Sequence, residues 1–183
     1  MIREHAQRLL HDVHSVLTEL NLTHFLIDGT LLGAVREGDF IGHDLDIDFG
    51  VYAEEWTPDT VKAVEEAMQK RGIRIGHKFG DFETCYEIAL QRELKCDLFF
   101  YRKDGEHRIF HAFKNGGKNL AEDTITYEYR AELIENLKPM IFQNEYYPAP
   151  ADPIAVLVSK YGPEWRVPIK KWDWQYGPRN VRK

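Results

Sequence analysis

Between Gly42 and Gly50 the chain reads GHDLDIDFG, which sets Asp44, Asp46 and Asp48 at every second position among Leu45, Ile47 and Phe49. Such alternation is the pattern of a β-strand. Three carboxylates share one face, roughly 6 to 7 Å apart, and three apolar groups share the other. The apolar face requires a core and the acidic face a cation. A further acid interrupts a core-like strand in KCDLFF, where Asp97 follows Cys96 and precedes Leu98, Phe99 and Phe100. A carboxylate in that setting is costly to ionise without a partner. If the two strands are neighbours, Asp46, Asp48 and Asp97 converge, and an oxygen-seeking divalent cation, Mg2+ or Mn2+, relieves their repulsion. Such an ion picks up phosphate oxygens, so phosphoryl chemistry is the natural reading.

The segment DGTLLGAVREG, residues 28 to 38, supplies what a phosphate would need beside those acids. Gly29 permits close backbone approach, and a helix starting near Thr30, capped by Gly29-Thr30, offers N–H groups to an anion. Arg36, about two turns along, is a further phosphate contact, with a competing role against the helix dipole. Asp28 reads as a turn residue. Lys160 and Tyr161 read as packing and C-terminal charge on a late helix, with Lys160 also the candidate for a donor contact. Trp165, Trp172, Trp174 and Tyr176, interleaved with Lys170, Lys171 and Arg179, either wrap back over the core or stack on a sugar or base. His11 and His14, one helical turn apart, read as surface residues rather than zinc ligands.

The elements that must position these groups follow from periodicity. Residues 1 to 20 carry apolar groups at three- and four-residue steps, an amphipathic helix. THFLID is a short buried strand, and Thr57-Pro58 is an N-cap and N1 pair for a helix reaching Lys70, with Gly72 past its end. From Ile73 to Phe113 short β-branched and aromatic runs predict antiparallel strands, with turns at 103–106 and at Asn115-Gly116-Gly117. In PADPIAVLVSKYG, Asp152 caps, Pro153 sits at N1, Ile154, Val156, Leu157 and Val158 pack, and Gly162 ends the helix.

With 183 residues, 43% hydrophobic and 30% charged, the chain is read as one domain, 1–183, with ordinary globular composition. A net charge of -6 argues against general nucleic-acid binding. No apolar run nears the roughly 20 residues of a membrane span, and the N-terminus lacks a signal-peptide core, so a cytoplasmic protein is expected. Cys85 and Cys96 form no CxxC pair and read as thiols in a reduced compartment.

The run DGTLLGAVREGDFIGHDLDIDFGV resembles the signature of the LicD/fukutin family, a branch of the nucleotidyltransferase superfamily. That pattern leads from Gly-Thr/Ser-Leu-Leu-Gly-x-x-Arg to a closely following Asp-Ile-Asp strand, and its later hydrophobic-Asp-hydrophobic strand is met by Asp97. FQNEYYPAPADPIAVLVSKYGPEWRVP resembles the family's closing segment. This chain has His43, Asp44 and Leu45 where the family commonly has a Trp and consecutive acids, which leaves the role of Asp44 open. The resemblance implies an α+β, nucleotidyltransferase-like mixed β-sheet with helices packed on one side. It also implies two metal ions held by Asp46, Asp48 and Asp97, with Gly29-Thr30 at the donor phosphates. The implied reaction moves a phospho-alcohol, phosphocholine or an alditol phosphate, from a CDP-linked donor to a glycan hydroxyl. Two other readings stand beside it: transfer of a nucleoside monophosphate from an NTP to a small molecule, protein or RNA, and a non-catalytic metal- or nucleotide-binding module.

Overall fold

The amphipathic stripe near the N-terminus forms helix α1, Arg3–Glu19, burying Ala6, Leu9, Leu10, Val13, Val16 and Leu17. The computed structural model describes residues 3–81, 85–114 and 124–182, so the turn expected at 115–117 lies outside the described residues, as does the side chain of Cys85. Strand β1, His24–Leu26, leads into α2, Asp28–Arg36, and the acidic segment forms β2, Asp46–Tyr52. Helix α3, Pro58–Lys70, starts as its sequence predicts: the Thr57 hydroxyl accepts from the Thr60 N–H and Pro58 occupies N1.

The β-rich middle of the chain forms β3 (Arg74–Asp81), β4 (Cys85–Gln91), β5 (Lys95–Asp104) and β6 (His107–Phe113). Residues 124 to 150, unpatterned in sequence, form β7 (Thr124–Arg130), α4 (Ala131–Glu135) and the hairpin β8 (Leu137–Phe142) and β9 (Glu145–Pro150). Helix α5, Pro153–Tyr161, is capped by Asp152, which accepts from the Ala155 N–H, and stops where Gly162 turns to a φ of 83°. Its buried side comprises Val156, Leu157 and Lys160; Ile154 and Val158, expected to pack, are exposed.

Among the described residues the main sheet has seven strands in the order β1-β2-β5-β4-β3, with β6 and β7 continuing from the far end of β5. Its neighbours are antiparallel except β2 and β5, which run parallel. A parallel pair needs a long crossover, and the 42 residues from 53 to 94 provide it through α3, β3 and β4. This register sets Asp48 directly beside Asp97, with both side chains on one face of the sheet. Ile47, Phe49, Cys96 and Leu98 point the other way into a fully buried core shared with α1. The free thiol of Cys96 is part of that core. The fold is thus α+β with a mixed sheet, and no helix among the described residues is long and apolar enough to cross a membrane.

The core of α1 carries one polar contact that its sequence concealed. His14, expected at the surface, is half-buried, and its Nδ1 lies 2.6 Å from Nε2 of the buried His24. His24 Nδ1 donates to the Leu22 carbonyl at 2.8 Å, so Nε2 accepts and His14 Nδ1 carries the proton. Burial lowers the His24 pKa to about 4, with neighbouring His14 adding to the effect. The fold therefore holds His24 neutral, whereas the unfolded chain protonates it at an ordinary value near 6.5. Stability from this residue is fully present above pH 6.5 and drains away as pH falls to about 4, a loss of about 3 kcal/mol. Denaturant unfolding of the wild type and His24→Phe at intervals from pH 7 to 4 measures it: the difference between the two profiles should change by this amount. Parallel profiles would contradict it.

Candidate active site

Asp48 is the centre of the acidic floor. Its Oδ2 accepts from the Gly29 N–H at 2.9 Å and the Thr30 N–H at 3.3 Å, while its own N–H donates to Thr30 Oγ1 at 2.8 Å. The helix N-terminus expected to offer free N–H groups to phosphate is thus engaged with a carboxylate, in keeping with the helix dipole. Nor does Thr30 act as the N-cap: α2 begins at Asp28, behind an extended Ile27 with no side-chain cap. The sequence requirement at position 29 is steric, since a Cβ there would lie 2.5 Å from Asp44 Oδ2 and 3.1 Å from Asp48 Oδ2.

Asp46, Asp48 and Asp97 each place a carboxylate oxygen within 4.8 Å of the others. The strand that carries Asp46 and Asp48 begins only at Asp46. Asp44 lies in the preceding loop and Leu45, expected on the core face, is 70% exposed. Asp44 nevertheless returns to the cluster over Gly29 and shares a hydrogen bond with Asp46; burial, then that bond and the Asp46 charge, raise its pKa to about 7. Burial, followed by repulsion from Asp46, Asp28, Asp44 and Asp97, pushes Asp48 well above the usual carboxylate range. Burial likewise raises Asp97 to about 6, although Lys95 opposes the shift.

Lys95 was not singled out by its sequence context. Its Nζ lies 2.7 Å from Asp97 Oδ2 and 3.3 Å from Asp46 Oδ2. The available signal was the two-residue step from Lys95 to Asp97, which puts both on one strand face. Asp28, read as a turn residue, is buried with a φ of 49° and forms an ion pair with the equally buried Lys160. This pair ties the start of α2 to the end of α5. Lys160 also faces the Tyr127 and Tyr161 rings at 5.4 and 5.8 Å. Arg36 ends α2, where Nε donates to Glu37 and Nη1 donates to the Trp165 carbonyl at 3.4 Å.

These groups surround a cleft of about 770 Å³. Asp28, Asp44, Asp46, Asp48 and Asp97 line its acidic side, and Trp165, Trp172, Trp174, Lys170, Lys171 and Arg179 line another part of its wall. The C-terminal segment is secured there. The Arg179 N–H donates to the Lys160 carbonyl, the Tyr127 hydroxyl donates to the Trp174 carbonyl, and Arg182 pairs with Glu128 and Asp104. The aromatic-basic tail wraps back over the domain, the first of its two sequence readings, and this wrapping is what brings it to the cleft.

A mixed sheet with paired carboxylates on adjacent parallel strands defines a nucleotidyltransferase-like fold, and solved structures share it. The lincomycin-bound lincosamide antibiotic adenylyltransferase LnuA superposes with a TM-score of 0.50 at 14% identity, covering 83% of each chain. The antibiotic-resistance factor ANT(2'')-Ia gives 0.53 at 13% identity, covering 96% of this chain and 80% of that one. Residues 21–152 match the family model described as LicD/FKTN/FKRP, nucleotidyltransferase domain, and the chain belongs to this LicD/fukutin family. Ribitol-5-phosphate transferase FKTN of Mus musculus is 28% identical over 190 residues, and that of Homo sapiens 28% over 182. An uncharacterized protein, RT0683, of Rickettsia typhi is 30% identical over 161 residues, which span 86% of this chain and 45% of that protein. The chain matches 100% of its own length to only 38% of the mouse protein, and 98% to 37% of the human one.

Proposed function

We propose that the protein is a metal-dependent transferase that moves a phospho-alcohol group from a CDP-linked donor to a glycan hydroxyl. The observation that carries the reading is the convergence of Asp46, Asp48 and Asp97 on a cleft that also bears a basic, aromatic wall. The transferase activity in the names of the mouse and human FKTN relatives supports the choice of a phospho-alcohol such as ribitol phosphate.

The donor set fits a hard divalent cation: all three side chains offer oxygen, and Asp97 Oδ1 is buried without a hydrogen-bond partner among the described residues. Asp46, Asp48 and Asp97 would hold Mg2+ or Mn2+, which supplies charge neutralisation on the transferring phosphoryl group. The remaining work falls to the protein. The basic residues of the tail hold the donor's diphosphate by ion pairing, with Lys160 and Arg36 adding positive charge to the cleft wall from their own pairs with Asp28 and Glu37, while the tryptophans stack on its base or on the acceptor sugar. Gly29 and Thr30 act through Asp48, whose carboxylate they fix, so that the donor phosphates meet an oriented acid. Asp97 takes the proton of the acceptor hydroxyl as that oxygen attacks the alcohol-bearing phosphorus. The bond from this phosphorus to the bridging oxygen breaks, and CMP leaves with the electron pair.

Incubation with labelled CDP-ribitol, CDP-choline and the four NTPs in Mn2+ tests the reaction class through the leaving group. Release of CMP from a CDP-alcohol is expected, with the labelled alcohol phosphate recovered on a glycan acceptor. Pyrophosphate release from an NTP would replace this reading with nucleotidyl transfer. Tight nucleotide binding with no product from any donor would make the protein a binding module.

A further inference from the structure

We infer that Lys95 is a tethered counter-cation that occupies the acidic site in the metal-free protein and is displaced when a divalent ion binds. The inference rests on the metal reading above and adds to it a residue that competes with the metal. The ammonium bridges two of the three carboxylates proposed as ligands, at 2.7 Å from Asp97 and 3.3 Å from Asp46. No other lysine or arginine forms an ion pair with either acid among the described residues. The remaining pressure on the cluster is evident in Asp48, buried near four further acids, Asp28, Asp44, Asp46 and Asp97, with its carboxylate held by the Gly29 and Thr30 N–H groups.

A metal shared by Asp46 and Asp97 draws on the same two carboxylates that Lys95 holds, and an ammonium left within a few ångströms of a divalent ion is repelled by it. The lysine side chain is 45% exposed, so its flexible stem can carry the ammonium outward without opening the core. Once displaced it remains on the rim of the same cleft, where a phosphate oxygen is a suitable new partner. The residue therefore stabilises the empty site, weakens metal binding, and is released toward the donor only when metal is present.

Calorimetric titration of Mn2+ into the EDTA-treated, dialysed protein tests this, with melting curves in EDTA alongside. Lys95→Gln and Lys95→Met should bind Mn2+ about tenfold more tightly than the wild type and melt at lower temperature in EDTA. Lys95→Arg, which keeps the charge, should bind no more tightly than the wild type. Wild-type binding with equal or weaker affinity in the Gln and Met variants would overturn the role of Lys95 and leave the metal reading intact. Failure of every form to bind Mn2+ would remove the metal reading and this inference together. Should both neutral variants fail to fold, acylation of Lys95 in the wild type, read by peptide mass spectrometry, decides the matter. It should increase on adding Mn2+, and unchanged labelling would overturn the inference.

Discussion

Asp46→Ala and Asp48→Asn are each expected to lower transfer by about 1,000-fold while the melting temperature stays within a few degrees of the wild type or rises. The loss follows from removing charge stabilisation of several kcal/mol at the transferring phosphate, at about 1.4 kcal/mol per tenfold. The stability side depends on what each carboxylate does in the fold. Asp46 contributes one partly exposed ion pair to Lys95, a contact worth about 1 kcal/mol or less, and its removal relieves repulsion on Asp44 and Asp48. Asp48 requires a more careful substitution. Alanine would strip the Gly29 and Thr30 N–H groups of their acceptor, whereas the asparagine side-chain oxygen can still accept while the charge is lost. Turnover assays and thermal melts on the same preparations separate the two effects. Near-wild-type turnover in either variant would sink the assignment of these residues.

Gly50→Ala is expected to destabilise the fold by about 3 kcal/mol, the upper part of the usual range for overpacking, or a fall in melting temperature of roughly 6 to 12 °C. Gly50 lies on β2 opposite Phe25 of β1, and a Cβ at this position would overlap atoms of the Phe25 ring. That ring is fully buried and lies 5.6 and 5.8 Å, centroid to centroid, from Tyr52 and Tyr101, so it has no free space in which to retreat. Relief of the clash requires the paired backbones of β1 and β2 to separate, and β2 is the strand that carries Asp46 and Asp48. Some loss of transfer should therefore accompany the loss of stability. The double variant Phe25→Leu with Gly50→Ala tests the cause, because a smaller side chain should recover part of the Gly50→Ala penalty. Additive losses in the double variant would place the defect elsewhere.

Local chemistry was enough to locate much of this protein. The stripe of α1, the Thr57-Pro58 start of α3 and the Asp152-Pro153 start of α5 all rest on interactions within four residues, so they are legible in the chain itself. The alternation in DIDFG likewise separated Asp46 and Asp48 from Ile47 and Phe49, and KCDLFF marked Asp97 as an acid lacking a local explanation. Tertiary structure decided which of the acids meet. The parallel register of β2 and β5 joins residues about 50 positions apart, and it is selected by burial of both apolar faces rather than by any nearby sequence signal. The same long-range packing drew Asp44 back over Gly29 from outside the strand and buried Asp28 against Lys160. It turned Lys95 onto two carboxylates and brought the tryptophan-rich tail to the cleft. Side-chain type and a two-residue period were sufficient to put Asp46 and Asp48 on one face of β2 and Ile47 and Phe49 on the other. Which charges neutralise one another follows from distances across elements that no local pattern encodes.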